Sequence, residues 1–273
     1  LPASIAPVLV GAAAATHRGA FLWGRCLLCA VVALAIQVGT NYANDYSDGI
    51  RGTDAERVGP LRLVASGIAT PSAVRTAALV AYGIAAAAGL VLAAQVSWWL
   101  LAVGAASLAA GWGYTGGPRP YGYDGLGELF VFAFFGLVAT AGTAYCLTGE
   151  LLSVAVLAGA AMGLLACALL GVNNLRDLDG DAAVGKRTLA VRLGREGAIA
   201  LYVAELVVAL CCALGCTAWR HLAVVVLVAV PFAVIPVRII RGGASGRALV
   251  PALVATARLQ LLAGVALAVG LWL

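Results

Sequence analysis

Asn173-Asn174-Leu175-Arg176-Asp177-Leu178-Asp179-Gly180-Asp181 closes the apolar run 151–174, and Asn44-Asp45-Tyr46-Ser47-Asp48 closes the earlier run 20–45. Of the twelve acidic residues in the chain, seven lie in or just after these two stretches. A sequence that otherwise avoids charge has gathered its carboxylates at two places, each at the end of an oily segment. That arrangement points to a divalent-cation site at a membrane surface, with a phosphate-bearing ligand.

The rest of the chain supports a membrane setting. Hydrophobic residues make up 63% of the 273 and charged residues 11%, against about 25% charged in an ordinary soluble domain. Mean hydropathy is +1.02. The apolar segments run approximately 3–16, 20–45, 71–93, 96–113, 126–147, 151–174, 196–218, 221–240 and 249–272. A crossing needs roughly 20 apolar residues, and none of the segments alternates as a barrel strand does, so helices are the spanning state. The expectation is an all-α polytopic membrane protein of about nine transmembrane helices, folded as one domain over residues 1–273. Close-set small residues at Gly83–Gly89 and Gly159–Gly163 predict tight helix crossings. The first apolar run lacks the basic flank of a cleavable signal. The seven cysteines fall within apolar runs and read as buried, alanine-sized residues rather than metal ligands. His17 and His221 read as surface residues near span ends.

Charge sets the orientation. Loops after even-numbered spans carry thirteen Lys and Arg residues, the other loops only Arg18, Arg25 and Arg220, with Arg258 inside the last span. The positive-inside rule makes the first side cytoplasmic, and both acidic stretches lie there. The net charge of +5 thus reflects topology rather than nucleic-acid binding. Asn44 and Asp48 align with Asn173 and Asp177 at an offset of 129 residues. The two stretches lie four spans apart, so the copies run in the same direction, as in a parallel internal repeat.

On a helix, positions i, i+3, i+4 and i+7 share a face. Asn41, Asn44, Asp45 and Asp48 have this spacing, and so do Asn174, Asp177 and Asp181. Hard oxygen donors of this kind suit Mg²⁺, whose shell is completed by water and phosphate oxygens. Arg51, Arg57 and Arg62 follow the first stretch, Lys186 and Arg187 the second; cations there would stabilise a leaving diphosphate. A third loop on the same side, Tyr114 to Asp124, brings Tyr114, Tyr121 and Tyr123, whose ring faces can steady a carbocation. Asp54 and Asp124 are candidates for a general base by position alone. Two other classes remain open from residues alone. A cation-coupled transporter fits a parallel repeat with intramembrane carboxylates, although such sites lie near the midplane. A CDP-alcohol phosphotransferase needs Asp-Gly-x-x-Ala-Arg, and Asp48-Gly49 is followed instead by Ile50-Arg51-Gly52-Thr53.

Asn44-Asp45-Tyr46-Ser47-Asp48 and Asp177-Leu178-Asp179-Gly180-Asp181 resemble the N-D-x-x-D and D-x-x-x-D signatures of the UbiA superfamily of intramembrane aromatic prenyltransferases. The resemblance extends over nearly the whole chain; the family's opening Arg-Pro-x-Thr element would lie ahead of Leu1. Three stretches, Asn44–Gly67, Tyr114–Glu128 and Asn173–Gly194, are most similar to the branch acting on 1,4-dihydroxy-2-naphthoate. The resemblance implies helices around a central cavity in a bacterial cell membrane, with an active site facing the cytoplasm. It also implies Mg²⁺-dependent transfer of a polyprenyl group from its diphosphate to the naphthoate ring, giving demethylmenaquinone. By matching positions, Asn44, Asp48, Asp177 and Asp181 would hold the metal and Lys186 would act with the last three in catalysis. Asn41, Asn44, Asp45, Arg62, Tyr114, Tyr121, Asn174 and Arg187 would bind substrate, and the prenyl tail would lie against membrane lipid. A 4-hydroxybenzoate or homogentisate acceptor is the alternative within the family.

Overall fold

Each apolar run forms a helix, and the two that carry the acidic stretches set the frame. The structure, a computed structural model, describes residues 2–16, 18, 22–53 and 61–273, and all regular structure among them is helical. In chain order these are α1 (Pro2–Thr16), α2 (Trp23–Arg51), α3 (Pro71–Gln95), α4 (Trp99–Gly113) and α5 (Gly127–Thr148). They are followed by α6 (Ser153–Arg176), the short α7 (Leu178–Ala183), α8 (Leu189–Ala218), α9 (His221–Arg241) and α10 (Gly246–Trp272). Seven of them, α2, α3, α5, α6, α8, α9 and α10, are long and apolar enough to cross a membrane. The other two expected spans, α1 and α4, are apolar helices of 15 residues each, about 22 Å long at 1.5 Å per residue and so shorter than a bilayer core of about 30 Å.

The ends of the motif helices differ from the drawn boundaries in ways that matter. α2 runs to Arg51 and stops at Gly52, whose φ of 71° closes the helix in the left-handed region. The whole first motif is therefore helical, and its four polar side chains do share a stripe. α6, in contrast, ends at Arg176; Asp177 sits at φ −93°, ψ 6° and Asp181 belongs to α7. The expected single stripe of Asn174, Asp177 and Asp181 is thus divided. Asp177 turns its carboxylate back onto the preceding Arg176 side chain, and Asp179-Gly180 are weak helix formers. One link across the break survives, the bond from Asp181 N–H to Asp177 O at 2.8 Å.

α2 packs along α3 and α6 along α8, while α1 is enclosed by α5, α6 and α10. Both motif helices end at the same cavity. Ala6 and Val10 of α1, Ala155, Ala158 and Met162 of α6, and Leu267 of α10 form a fully buried seam. Lipid supplies no hydrophobic drive between helices, so small residues that allow close backbone approach hold such a seam together. At the crossing of α5 and α6, a β-carbon added at Gly136 would stand 2.4 Å from the Cα of Gly163. A π-helical stretch, Phe132–Val138, brings Gly136 to that point. The tight approach expected at Gly159–Gly163 is therefore present. The one expected at Gly83–Gly89 is not, because a β-carbon at either glycine would meet nothing within 4 Å.

Trp23, Trp98, Trp99, Trp219 and Trp272 are all exposed and lie at helix ends away from the motifs, the position of an interfacial aromatic belt. His221 is exposed as expected, while His17 lies outside the described residues. All seven cysteines are free thiols; Cys29, Cys146, Cys167 and Cys216 are buried, but Cys211 faces outward from α8.

Candidate active site

The two acidic motifs open into one cavity of about 1330 Å³. Of the residues expected to hold metal or substrate by matching positions, all line it except Arg187, which is exposed; Arg51, expected as a cation there, does not line it either. Lys186 joins the motifs. Its ammonium stands 3.8 Å from Asp48 Oδ1 and 3.7 Å from Asp181 Oδ1, with a side chain only 10% exposed. The turn that presents it needs Gly185 at φ 76°, and Lys186 N–H bonds back to Asp181 O at 2.9 Å.

Tyr123 completes this centre. Its hydroxyl donates to Asp48 Oδ1 at 2.6 Å, and the Lys186 ammonium lies 4.6 Å from the ring centroid. On the same ring Arg51 packs at 5.6 Å, a cation–π arrangement that holds the phenol between two charges. The backbone N–H of Arg187 donates to Tyr123 O at 2.7 Å, so Arg187 serves the site through its main chain. Burial, and then the Asp48 bond, push the Tyr123 phenol up to about 12. Burial likewise raises Tyr114 and Tyr121 above the ordinary phenol range. All three are neutral hydrogen-bond donors at physiological pH.

The loop after α4 wraps the first motif. Thr115 Oγ1 donates to Asn44 Oδ1 at 2.8 Å, and the Arg51 guanidinium donates to the carbonyls of Thr115 and Gly117. Tyr114 meets Tyr121 edge-on at 5.6 Å, and Tyr121 stacks on Phe130 at 3.9 Å. These rings form one wall of the cavity. Beyond them it is apolar and follows α2 from Asp48 up to Cys29, a length of about 28 Å at 1.5 Å per residue.

Several polar side chains are already engaged. Both carboxylate oxygens of Asp45 accept backbone amides, from Leu63 at 2.8 Å and Val64 at 3.0 Å. This fixes the loop that carries Arg62, and Val64 packs so closely on α2 that a β-carbon at Gly49 would lie 2.5 Å from it. Asp177 receives Arg176 Nε and Nη2 at 2.7 and 2.6 Å. Asn174 Nδ2 donates to Glu128 Oε1 at 3.0 Å. Asp124 is exposed and does not line the cavity, so its position gives it no access as a base; Asp54 and Arg57 lie outside the described residues. The sequence offered Tyr123 only as a ring face and Arg51 only as a diphosphate cation; the Tyr123 bond to Asp48, the loop-tying role of Arg51, and any part for Thr115 and Glu128 had no sequence reading. Thr115 had only its membership of a loop on the motif side to mark it.

Among the described residues, no group of three or more His, Cys, Asp and Glu side chains is arranged as a self-sufficient metal cage. The donor set still fits Mg²⁺, which takes one or two carboxylates and completes its shell with water and phosphate oxygens. Asp48 and Asp181 flank a single ammonium, so two anionic oxygens already converge on one positive charge.

Residues 4–248 match the UbiA prenyltransferase family. The chain is 47% identical over 253 residues, 93% of its length and 87% of the relative's, to 1,4-dihydroxy-2-naphthoate octaprenyltransferase of Mycobacterium tuberculosis (strain ATCC 25618 / H37Rv). It superposes on the apo structure of a UbiA homolog from Aeropyrum pernix K1 with a TM-score of 0.75 at 16% identity, covering 97% of both chains. A UbiA homolog from Archaeoglobus fulgidus, bound to DMAPP and Mg²⁺, gives 0.65 at 14% identity, covering 98% of this chain and 97% of that one. Helical architecture, two motifs on one cavity and similarity along most of its length agree: the chain belongs to the UbiA prenyltransferase family.

Proposed function

We propose that this integral membrane protein transfers a polyprenyl group from its diphosphate to 1,4-dihydroxy-2-naphthoate, with Mg²⁺ as cofactor and the motif side facing the cytoplasm. The single observation that carries the reading is Lys186, held between Asp48 and Asp181 at the head of a long apolar chamber. A cation flanked by carboxylates suits a metal-bound diphosphate; an apolar chamber suits a polyprenyl tail. The similarity to a naphthoate octaprenyltransferase supports the acceptor.

Asn44, Asp48, Asp177 and Asp181 would hold Mg²⁺, which when bound neutralises the departing diphosphate. Lys186 and Arg62 bind the diphosphate oxygens and stabilise charge as the allylic C–O bond breaks. Tyr123, a neutral donor, keeps Asp48 in position. Asp45 acts through the loop it anchors, presenting Arg62. The Tyr114 and Tyr121 rings, on the cavity wall, would stand beside the allylic cation and lower its energy. The apolar chamber keeps water from capturing that cation. A naphthoate ring carbon then bonds to the prenyl C1, and the ring's carboxylate leaves as CO₂. The tail, and later the product, can pass into surrounding lipid. A transporter reading finds no support in the site, because the carboxylates gather at one end of the spanning helices rather than at mid-depth.

The test is to incubate purified protein with 1,4-dihydroxy-2-naphthoate, a polyprenyl diphosphate and Mg²⁺, and to follow product by mass spectrometry. Prenylated, decarboxylated naphthoquinol is expected. Preferential prenylation of 4-hydroxybenzoate or homogentisate would overturn the acceptor, and absence of any diphosphate release would overturn the class.

A further inference from the structure

Glu128 opens α5, one helix away from either acidic motif, and does not line the cavity. Its Oε1 nevertheless accepts the amide of Asn174, a cavity residue in the last turn of α6, at 3.0 Å. The other oxygen, Oε2, is shut off from solvent and has no partner, so the carboxylate has one hydrogen-bonded task among the described residues. The Cys167 thiol donates to the Glu128 carbonyl at 3.1 Å and seats the residue against α6. The direction of the Asn174 amide follows from this partner. With the amide reversed, an ionised Glu128 would set two acceptor oxygens face to face at 3.0 Å, so the carboxylate form of Glu128 selects the NH₂. Asn174 Oδ1 is left to the opposite side.

We propose that Glu128 is a positioning residue: it locks the Asn174 carboxamide so that its oxygen, and not its NH₂, is offered to the cavity as a neutral donor beside Asp177 and Asp181. This rests on the prenyltransferase reading. An oxygen there adds to the hard-donor set for a metal–diphosphate pair, whereas an NH₂ would repel the cation. Residues that orient a metal's ligands typically change affinity by about 10–100-fold when removed.

The experiment measures binding of a non-reacting prenyl thiodiphosphate to the purified full chain while Mg²⁺ is titrated, so no turnover is needed. Glu128→Ala is expected to raise the Mg²⁺ concentration for half-maximal binding about 10–100-fold, and Glu128→Gln, which keeps an acceptor oxygen, to restore most of it. Asn174→Ala should give a similar rise, and the Glu128→Ala/Asn174→Ala pair no more than Asn174→Ala alone. Should Glu128→Ala not fold, Glu128→Met removes the acceptor at similar volume. An unchanged Mg²⁺ requirement in Glu128→Ala or Glu128→Met overturns the proposal, as does full additivity of the pair or a Glu128→Gln variant no better than Glu128→Ala. Failure of the unaltered protein to bind the thiodiphosphate at any Mg²⁺ concentration would instead overturn the prenyltransferase reading beneath it.

Discussion

Asp45→Asn changes one oxygen for an NH₂ and should loosen the loop that carries Arg62. In the folded protein the two carboxylate oxygens accept Leu63 N–H and Val64 N–H at 2.8 and 3.0 Å. Asparagine can accept only one of these, and its NH₂ would face the other donor. A hydrogen bond to a charged group contributes about 1.5–3 kcal/mol, so the loop's closed state should lose about that much. If the loop is then closed only part of the time, apparent affinity falls by the closed fraction, about 10–100-fold at the stated energy. The assays are affinity for a prenyl thiodiphosphate at saturating Mg²⁺ and hydrogen exchange over residues 61–69. Weaker binding with faster exchange is expected, at an unchanged Mg²⁺ requirement. If Asp45 instead touched the metal or substrate directly, binding would weaken with no change in loop exchange; that outcome would refute the anchoring argument.

Lys186→Met removes the cation between Asp48 and Asp181 and should lower kcat about 100–1000-fold, the usual cost of losing one group that stabilises developing charge; retention of near-normal turnover in a single-turnover assay would remove Lys186 from the chemistry. Tyr123 favours its protonated form in the folded protein, with its phenol at about 12 against about 10 for a free phenol. Its contribution to stability is therefore complete below pH 10 and lost as pH rises toward 12, so Tyr123→Phe should flatten alkaline destabilisation over that window in thermal unfolding while leaving pH 6–9 profiles without a new limb. Gly136→Ala should destabilise by about 1–3 kcal/mol or prevent folding, since its β-carbon would stand 2.4 Å from Gly163 Cα. Gly83→Ala enters open space and should be neutral or raise Tm slightly, helical alanine being favoured over glycine by about 1 kcal/mol.

Much of the fold is legible in the chain because lipid imposes one rule: apolar runs of sufficient length become helices. That rule locates α2, α3, α5 and α6 well, and the Lys/Arg asymmetry groups both motifs on one side. Their polar spacing then brings Asn41, Asn44, Asp48, Asp181 and Lys186 to one cavity. What was not legible depends on contacts between segments far apart in sequence. Asp45 reads as a substrate-binding residue from its motif, but its oxygens are taken by amides of the following loop. The second stripe reads as continuous, but Asp177 turns onto Arg176 and ends α6. Glycine spacing predicts close crossings at both Gly83–Gly89 and Gly159–Gly163, yet only the second pair faces a partner helix. Glu128 carries no local signal, because its role exists only where α5 meets the end of α6. Arg187 lies beside Lys186 in sequence, yet its side chain points away from the cavity that Lys186 enters.

The central claim is that two separated acidic motifs form one diphosphate site through Lys186. The most direct measurement is an experimental structure with Mg²⁺ and a prenyl thiodiphosphate. The diphosphate is expected between Asp48 and Asp181, with the Lys186 ammonium transferred from the carboxylates to its oxygens and the prenyl chain running along α2 toward Cys29. A diphosphate bound at one motif only, or outside this cavity, with Lys186 still paired to both aspartates, would contradict it.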